Sequence, residues 1–179
     1  MNLPVIDDKQ TRPWYADGLK FTCTQCGNCC TGGPGFVWVS HEEIVRLAEY
    51  LKMRPDEVVE RYCRTINGQK SFNERRNTRG SYDCIFLKEE RVERPAPTGG
   101  PKNAIIQTRR TCTIYPVRPL QCRTWPFWDS NLTTPQAWQK SSRRCHGMDQ
   151  GRHFKLEQID IIRTAKDWPA KPPTSDKKK

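Results

Sequence analysis

The chain has 179 residues, 35% of them apolar, a mean hydropathy of −0.87 and a formal net charge of +11. That length suits one domain with appendages, but so little apolar material builds a thin core, as is common where metals or disulfides share the stabilisation. No stretch approaches the ~18 apolar residues of a membrane-spanning helix, and the opening "MNLPVIDDKQTRPWYADG" has early acids and no apolar secretory segment. A cytoplasmic protein with reduced thiols is therefore expected, and metal ligation is a better use for its nine cysteines than disulfides.

Residues 1–19 read as an irregular leader in which Pro4, Pro13 and Trp14 dock on the body. Then comes "CTQCGNCC" (23–30), four cysteines in eight positions. Cys23, Cys26 and Cys29 follow a C-x2-C-x2-C rhythm that lets one loop offer three thiolates to one face of a metal centre, with Gly27, Gly32 and Gly33 easing the turns. Structural zinc sites take ligands in pairs from separate knuckles, whereas three from one loop is an iron–sulfur habit. Cys30 abuts Cys29, cannot bond to it without strain, and must point elsewhere.

"FVWVS" (36–40) predicts a short strand. "SHEEIVRLAEYLKM" predicts a helix with Ser40 as cap, Glu43 completing a capping box, and Ile44, Leu47, Ala48 and Leu51 as its buried stripe. A second helix opens at Pro55 and buries Val58, Val59, Tyr62 and Cys63, giving a helical hairpin. Residues 64–82 are polar and basic and read as a loop. "CIFLKEE" and "AIIQTRRTCTIY" predict an extended hairpin over 84–115, interrupted by the turn-rich "RPAPTGGPKN". A helical turn between prolines leads into the aromatic run "TWPFW". "TPQAWQKSSRRC" and "FKLEQIDIIRTAKDW" each predict helix, the second burying Phe154, Leu156, Ile159 and Ile162. The expected fold is a small α+β, metal-stapled single domain over 20–168 with long irregular loops, followed by a disordered basic tail at 169–179.

Cys84, Cys112, Cys122 and Cys145 arrive at long intervals after the first cluster. Cys122 is the expected fourth partner of Cys23, Cys26 and Cys29, because the aromatic run after it could shield a cluster from water. A four-thiolate zinc site or a four-iron cluster carries a net charge of about −2. Arg110, Arg123, Arg143 and Arg144 crowd the cysteines and either balance such a centre or form a solvated basic face. Cys63 fits a core thiol, His146 a surface histidine beside Cys145, and Trp125, Trp128, Trp138 and Phe127 a core. His41 and His153 have no evident partner. "TGGPG" and "RPAPTGGPK" match no phosphate loop or dinucleotide fingerprint.

"CTQCGNCC", "DCIFL", "CTIYPVRPLQCRTWPF" and the late "CHG" together resemble the YkgJ family, bacterial cysteine-cluster proteins regarded as zinc- or iron-chelating domains. The resemblance spans about residues 20–150. It implies that Cys23, Cys26, Cys29, Cys30, Cys84, Cys112, Cys122 and Cys145 form the metal-ligand set, and that Arg118, Pro119 and Arg123 belong to the block around the cofactor. The family often reads Cys-Pro-Gly where this chain has Cys145-His146-Gly147. A distant similarity to flagellin lysine-N-methylase suggests that some relatives are iron–sulfur enzymes.

Three functions follow. The first is a metal-binding protein, iron–sulfur in preference to zinc, with a structural or redox role. The second is an iron–sulfur enzyme modifying protein side chains. The third is a zinc protein that binds nucleic acid through its basic charge. The absence of a methyl-donor fingerprint weighs against the second, and basic residues clustered at the thiols without a zinc-finger spacing weigh against the third.

Overall fold

A computed structural model describes residues 12–95 and 104–166. Among the described residues the α-helices are α1 (His41–Leu51), α2 (Pro55–Tyr62), α3 (Leu120–Arg123), α4 (Asp129–Leu132), α5 (Pro135–Ser142) and α6 (Leu156–Thr164). The strands are β1 (Leu19–Phe21), β2 (Thr31–Gly32), β3 (Trp38–Val39), β4 (Cys63–Ile66) and β5 (Gln69–Phe72), then β6 (Glu74–Arg76), β7 (Tyr82–Cys84), β8 (Leu87–Pro95), β9 (Ala104–Cys112) and β10 (Met148–Phe154). All pairings are antiparallel, in small sheets ordered β1-β10, β2-β7-β6, β3-β5-β4 and β8-β9. The class is α+β, as expected. None of these helices is long and apolar enough to cross a membrane.

The described chain forms two compact units. One combines residues 12–24 with 124–165; the other holds residues 25–123 and Lys166.

The smaller unit is built on aromatic packing. Tyr15, Leu19, Phe127, Leu132, Trp138, Met148 and Ile159 are buried together. Phe127 stacks on Trp138 at 5.9 Å between centroids and meets Phe154 at 4.9 Å. The expected docking of Trp14 is seen here, its indole N–H donating to the Leu132 carbonyl at 2.8 Å. Two strands went unanticipated. β1 lies at the end of the expected leader, and β10 contains Phe154, a residue the periodicity places in the following helix. α5 is capped by Thr134, whose hydroxyl accepts from the Ala137 N–H at 3.1 Å. The β1–β10 pairing needs glycine at one point, since a Cβ on Gly147 would stand 2.1 Å from the Thr22 carbonyl oxygen. Residues 1–11 of the supposed leader, Pro4 among them, lie outside the described residues.

In the larger unit, α1 begins at the expected capping box. The Ser40 hydroxyl accepts from the Glu43 N–H at 3.3 Å, and the Glu43 carboxylate accepts from the Ser40 N–H at 3.0 Å. Ile44, Leu47 and Ala48 of α1 and Val58 of α2 bury against Val39, Phe72, Phe86 and Ile114. The stretch 64–82 is not a loop. Asn67 and Gly68 have φ of 48° and 78°, the left-handed pair that a two-residue hairpin requires, and they join β4 to β5. Cys63 correspondingly ends α2 and opens β4 instead of extending a helical stripe, although it still packs on the core. The hairpin expected over 84–115 is present as β8–β9, with Leu87 opposite Cys112. Ile85 and Phe86 break the expected strand at 84–90, so that β7 ends at Cys84 and β8 begins at Leu87. The excursion's residues 96–103 and the tail 169–179 lie outside the described residues.

Candidate metal centre

Six of the eight expected ligands, Cys26, Cys29, Cys30, Cys84, Cys112 and Cys122, belong to the larger unit; Cys23 and Cys145 belong to the smaller. Strand register explains how the larger unit gathers its thiols. β2 pairs with β7 through Thr31–Asp83 and Gly32–Tyr82, and continuing that register by one step sets Cys30 opposite Cys84. The buried Asp83 carboxylate fixes this junction by accepting from the Thr31 hydroxyl at 2.5 Å and from the Asn77 amide at 2.8 Å. Three residues after Cys84, Leu87 pairs with Cys112, which brings the end of β9 to the same place. The chain then turns through Tyr115–Val117 and Pro119 into α3, which carries Cys122.

The CxxCxxCC loop reaches the thiols because Gly27 has no side chain. Its φ is 70°, and a Cβ there would lie 2.8 Å from the Leu87 side chain and 3.1 Å from Arg110 Cβ. A 3-10 turn over Asn28–Cys30 follows, and the Arg110 guanidinium donates to the Asn28 side-chain oxygen. Arg110 therefore tethers the loop to β9.

Cys30 hydrogen-bonds to both Cys112 and Cys29, the second Sγ–Sγ distance being 3.8 Å. These two bonds, joined by burial, push the Cys30 thiol far above its ordinary range. The same sharing, together with the positive charge of Arg118, lowers Cys29 and Cys112 to about 7. Burial raises Cys84 to about 11, and raises Cys122 well above 9.0 with help from the Cys84, Cys29 and Cys112 charges. Arg118 is the cation at this group. Its guanidinium lies 3.6 Å above the Tyr115 ring centroid, its Nε donates to the Tyr115 carbonyl at 2.9 Å, and its charge helps to lower Cys29 and Cys112 and partly opposes the rise of Cys122.

The other arginines singled out by sequence are placed differently. Arg123 lies 3.8 Å from Glu43 with its side chain about half exposed, whereas Arg143 and Arg144 are exposed on the smaller unit. Within that unit Cys23 and Cys145 flank the Thr22–Gly147 hydrogen bond of 3.0 Å. Trp125 donates its indole N–H to the Cys145 sulfur at 3.3 Å. That contact had no signal in the sequence beyond the proximity of an aromatic run. His146 is exposed, and His153 meets the Asp17 carbonyl at 2.9 Å.

As the side chains stand, no three His, Cys, Asp or Glu groups among the described residues close around one point fit for an ion. Cys29, Cys30 and Cys112 form a proton-sharing row. The donor set nonetheless suits a thiophilic metal in kind, being five sulfurs beside one charge-balancing guanidinium, and ligation would exchange the shared protons for metal.

The chain is 32% identical over 113 residues to an uncharacterised protein of the archaeon Methanocaldococcus jannaschii, MJ0661, an overlap of 63% of this chain and 48% of that one. The chain thus spans about half the length of that relative. No solved structure matches it. Residues 22–146, which contain all eight of these cysteines, match the CxxCxxCC family, described as "Putative zinc- or iron-chelating domain", and the chain belongs to that family.

Proposed function

We propose that this protein binds metal through a polynuclear thiolate centre in its larger unit, an iron–sulfur cluster in preference to zinc, with a structural or redox role. One observation carries the reading: strand register and the turn into α3 bring Cys30, Cys84, Cys112 and Cys122 together with Cys29, and the Arg118 charge acts on Cys29, Cys112 and Cys122. Five thiols exceed the four that complete a tetrahedral zinc site, so more than one metal atom makes fuller use of them. The run Cys26-x2-Cys29-Cys30 supports iron–sulfur over zinc, because one loop of the larger unit offers three thiols. The set Cys23, Cys26, Cys29, Cys30, Cys84, Cys112, Cys122 and Cys145 remains the proposed pool of ligands, of which the six in the larger unit are those proposed for this centre, with Arg118 offsetting thiolate charge.

Purification without oxygen, followed by metal and acid-labile sulfide analysis, tests this reading. The expected product is brown and absorbs near about 400 nm, with bleaching on reduction. A colourless protein with stoichiometric zinc and no labile sulfide would replace the iron–sulfur assignment by a zinc one. A protein that takes up neither metal would remove the proposal altogether.

A further inference from the structure

α3 has only four residues, each keeping part of its surface exposed, so neither its length nor its packing alone fixes where Cys122 stands. Polar bonds from distant parts of the chain hold it. The Leu120 N–H donates to Glu43 Oε1 at 2.6 Å across 77 residues. The Gln121 side chain acts as a substitute peptide along β3: its Oε1 accepts from the Trp38 N–H at 2.8 Å, and its Nε2 donates to the Phe36 carbonyl at 3.1 Å.

Glu43 is unusual for a capping-box residue. Such carboxylates ordinarily face solvent, yet this residue is only 6% exposed. Its two oxygens serve two helix starts, Oε2 accepting from Ser40 at the head of α1 and Oε1 from Leu120 at the head of α3. A buried carboxylate is costly unless its lone pairs are used, and both helix N-termini present partial positive charge to it. Arg123 and Arg46 add their charges at 3.8 and 3.9 Å.

From this geometry we infer that Glu43 and Gln121 are positioning residues for Cys122, a role that rests on the proposed metal centre. They act through α3 and touch no metal themselves. Gln121 fixes α3 along β3, Glu43 fixes its first turn, and together they hold the Cys122 sulfur at Cys84, Cys29 and Cys112. Residues that orient a ligand from outside the coordination shell typically change metal affinity by about 10- to 100-fold when removed.

The test titrates Co(II) into the chelator-stripped full chain, read by its thiolate charge-transfer absorption, for wild type, Gln121→Leu, Glu43→Ala, Gln121→Glu and Ser40→Ala. Gln121→Leu and Glu43→Ala should bind Co(II) about 10- to 100-fold more weakly and with altered absorption. Gln121→Glu keeps the acceptor for Trp38 but loses the donor to Phe36, so it should fall between wild type and Gln121→Leu. Ser40→Ala removes the α1 cap and leaves the Glu43–Leu120 bond, so Co(II) binding should be unchanged. Site-resolved iodoacetamide labelling of the metal-free proteins forms the second arm. Labelling of Cys122 should accelerate in Gln121→Leu and Glu43→Ala while that of Cys63 does not. Unchanged Cys122 labelling, or equal acceleration at Cys63, would overturn the inference. Should wild type bind no Co(II), the proposed metal centre fails and the labelling arm alone decides the positioning role. Should the stronger variants not fold, Gln121→Glu decides it.

Discussion

The two units solve the problem of a thin core in opposite ways. The smaller one concentrates its apolar material, with Tyr15, Phe127 and Trp138 at its centre and Phe21 edge-on to Phe127 at 6.1 Å. Aromatic pairs of this kind add to the burial of large hydrocarbon surfaces, and nothing beyond the chain is needed to complete them. The larger unit has an apolar core where α1 and α2 meet β3 and β5, but beside that core, with Cys84 and Cys112 packed against it, stands a group of five thiols, an arginine and a helix of only four residues. Hydrogen bonds made by Glu43, Gln121, Asp83 and Arg110 fix that group. Hydrocarbon burial is complete once the chain has folded. On the proposed reading a cluster of protonated and half-ionised sulfurs is completed by metal, whose binding free energy then becomes folding free energy.

The largest expected effect divides the two units directly. Adding a strong chelator to metal-loaded protein removes the stabilisation of a bound ligand, about 4 kcal/mol when free metal stood ~1,000-fold above Kd. At about 2–4 °C per kcal/mol for a chain of this size, the melting temperature should fall by roughly 8–16 °C. Hydrogen exchange should show where the loss falls. The Cys30 amide bonded to Gly27, the Thr113 amide bonded to Phe86 and the Arg123 amide bonded to Pro119 should lose protection. The Phe127 and Ile159 amides, bonded to Thr124 and Lys155 in the aromatic unit, should keep theirs. Uniform loss across both sets, or an unchanged melting temperature in verified metal-free protein, would erase the contrast.

A smaller effect separates two cysteines that burial alone cannot distinguish. Cys63 and Cys84 pack on the same core, and burial raises each to about 11. Their neighbours differ. Cys84 feels the charges of Cys112 and Cys29, whereas Cys63 has Lys70 near it and no thiol acting on it. Cys63→Ala should cost about 1 kcal/mol, the usual size for a single substitution, and leave metal per chain unchanged. Cys84→Ala should lower bound metal. Equal metal loss from both would mean that the ligand group has been drawn in the wrong place.

Much of this contrast was legible in the sequence, for identifiable reasons. The capping box at Ser40 and Glu43 and the proline at the start of α2 are local signals acting within one turn, and both helices form where those signals stand. The long hairpin was readable from its β-branched runs. The Asn67-Gly68 turn was equally readable but was submerged in a basic stretch that looked like loop. β1 and β10 were harder, because "LKF" is only three residues long and "MDQGRHF" lacks alternation, and both become strands only through each other. At the site, spacing marked the cysteines as a group but could not show that Cys30 stands between Cys29 and Cys112. Nor could charge counting rank the arginines. Arg118 is set by its stacking on Tyr115, and the second bond of Glu43 spans 77 residues. Both are facts of tertiary structure that no local pattern encodes.

The smallest expected effect is a pH dependence confined to the thiol row. In the metal-free fold Cys29 and Cys112 titrate near about 7, below the ordinary thiol value of 9.0, because each bonds to Cys30. A group whose folded value is depressed adds stability above its unfolded value, and that stability is lost as pH falls through the folded value. From pH 7 to 9 the folded chain has released these two protons while the unfolded chain retains them, so metal-free stability should rise across that window. Cys84 and Cys63, held near about 11 by burial, and Cys30 and Cys122, raised further, reverse the sign towards and above 9. There the folded chain keeps protons that the unfolded chain releases, and stability should fall. Urea unfolding of metal-free protein from pH 6 to 10 should therefore give a maximum near pH 9, and a monotonic decline from pH 6 would contradict the assignment. Iodoacetamide offers a sharper reading, since the thiolate is the reactive form. Cys29 and Cys112 should label with midpoints near about pH 7. In Cys30→Ala, which removes the bond that depresses them both, those midpoints should move back toward 9.0. Metal-loaded protein should show neither midpoint, because a ligating sulfur is deprotonated throughout and shielded by its metal.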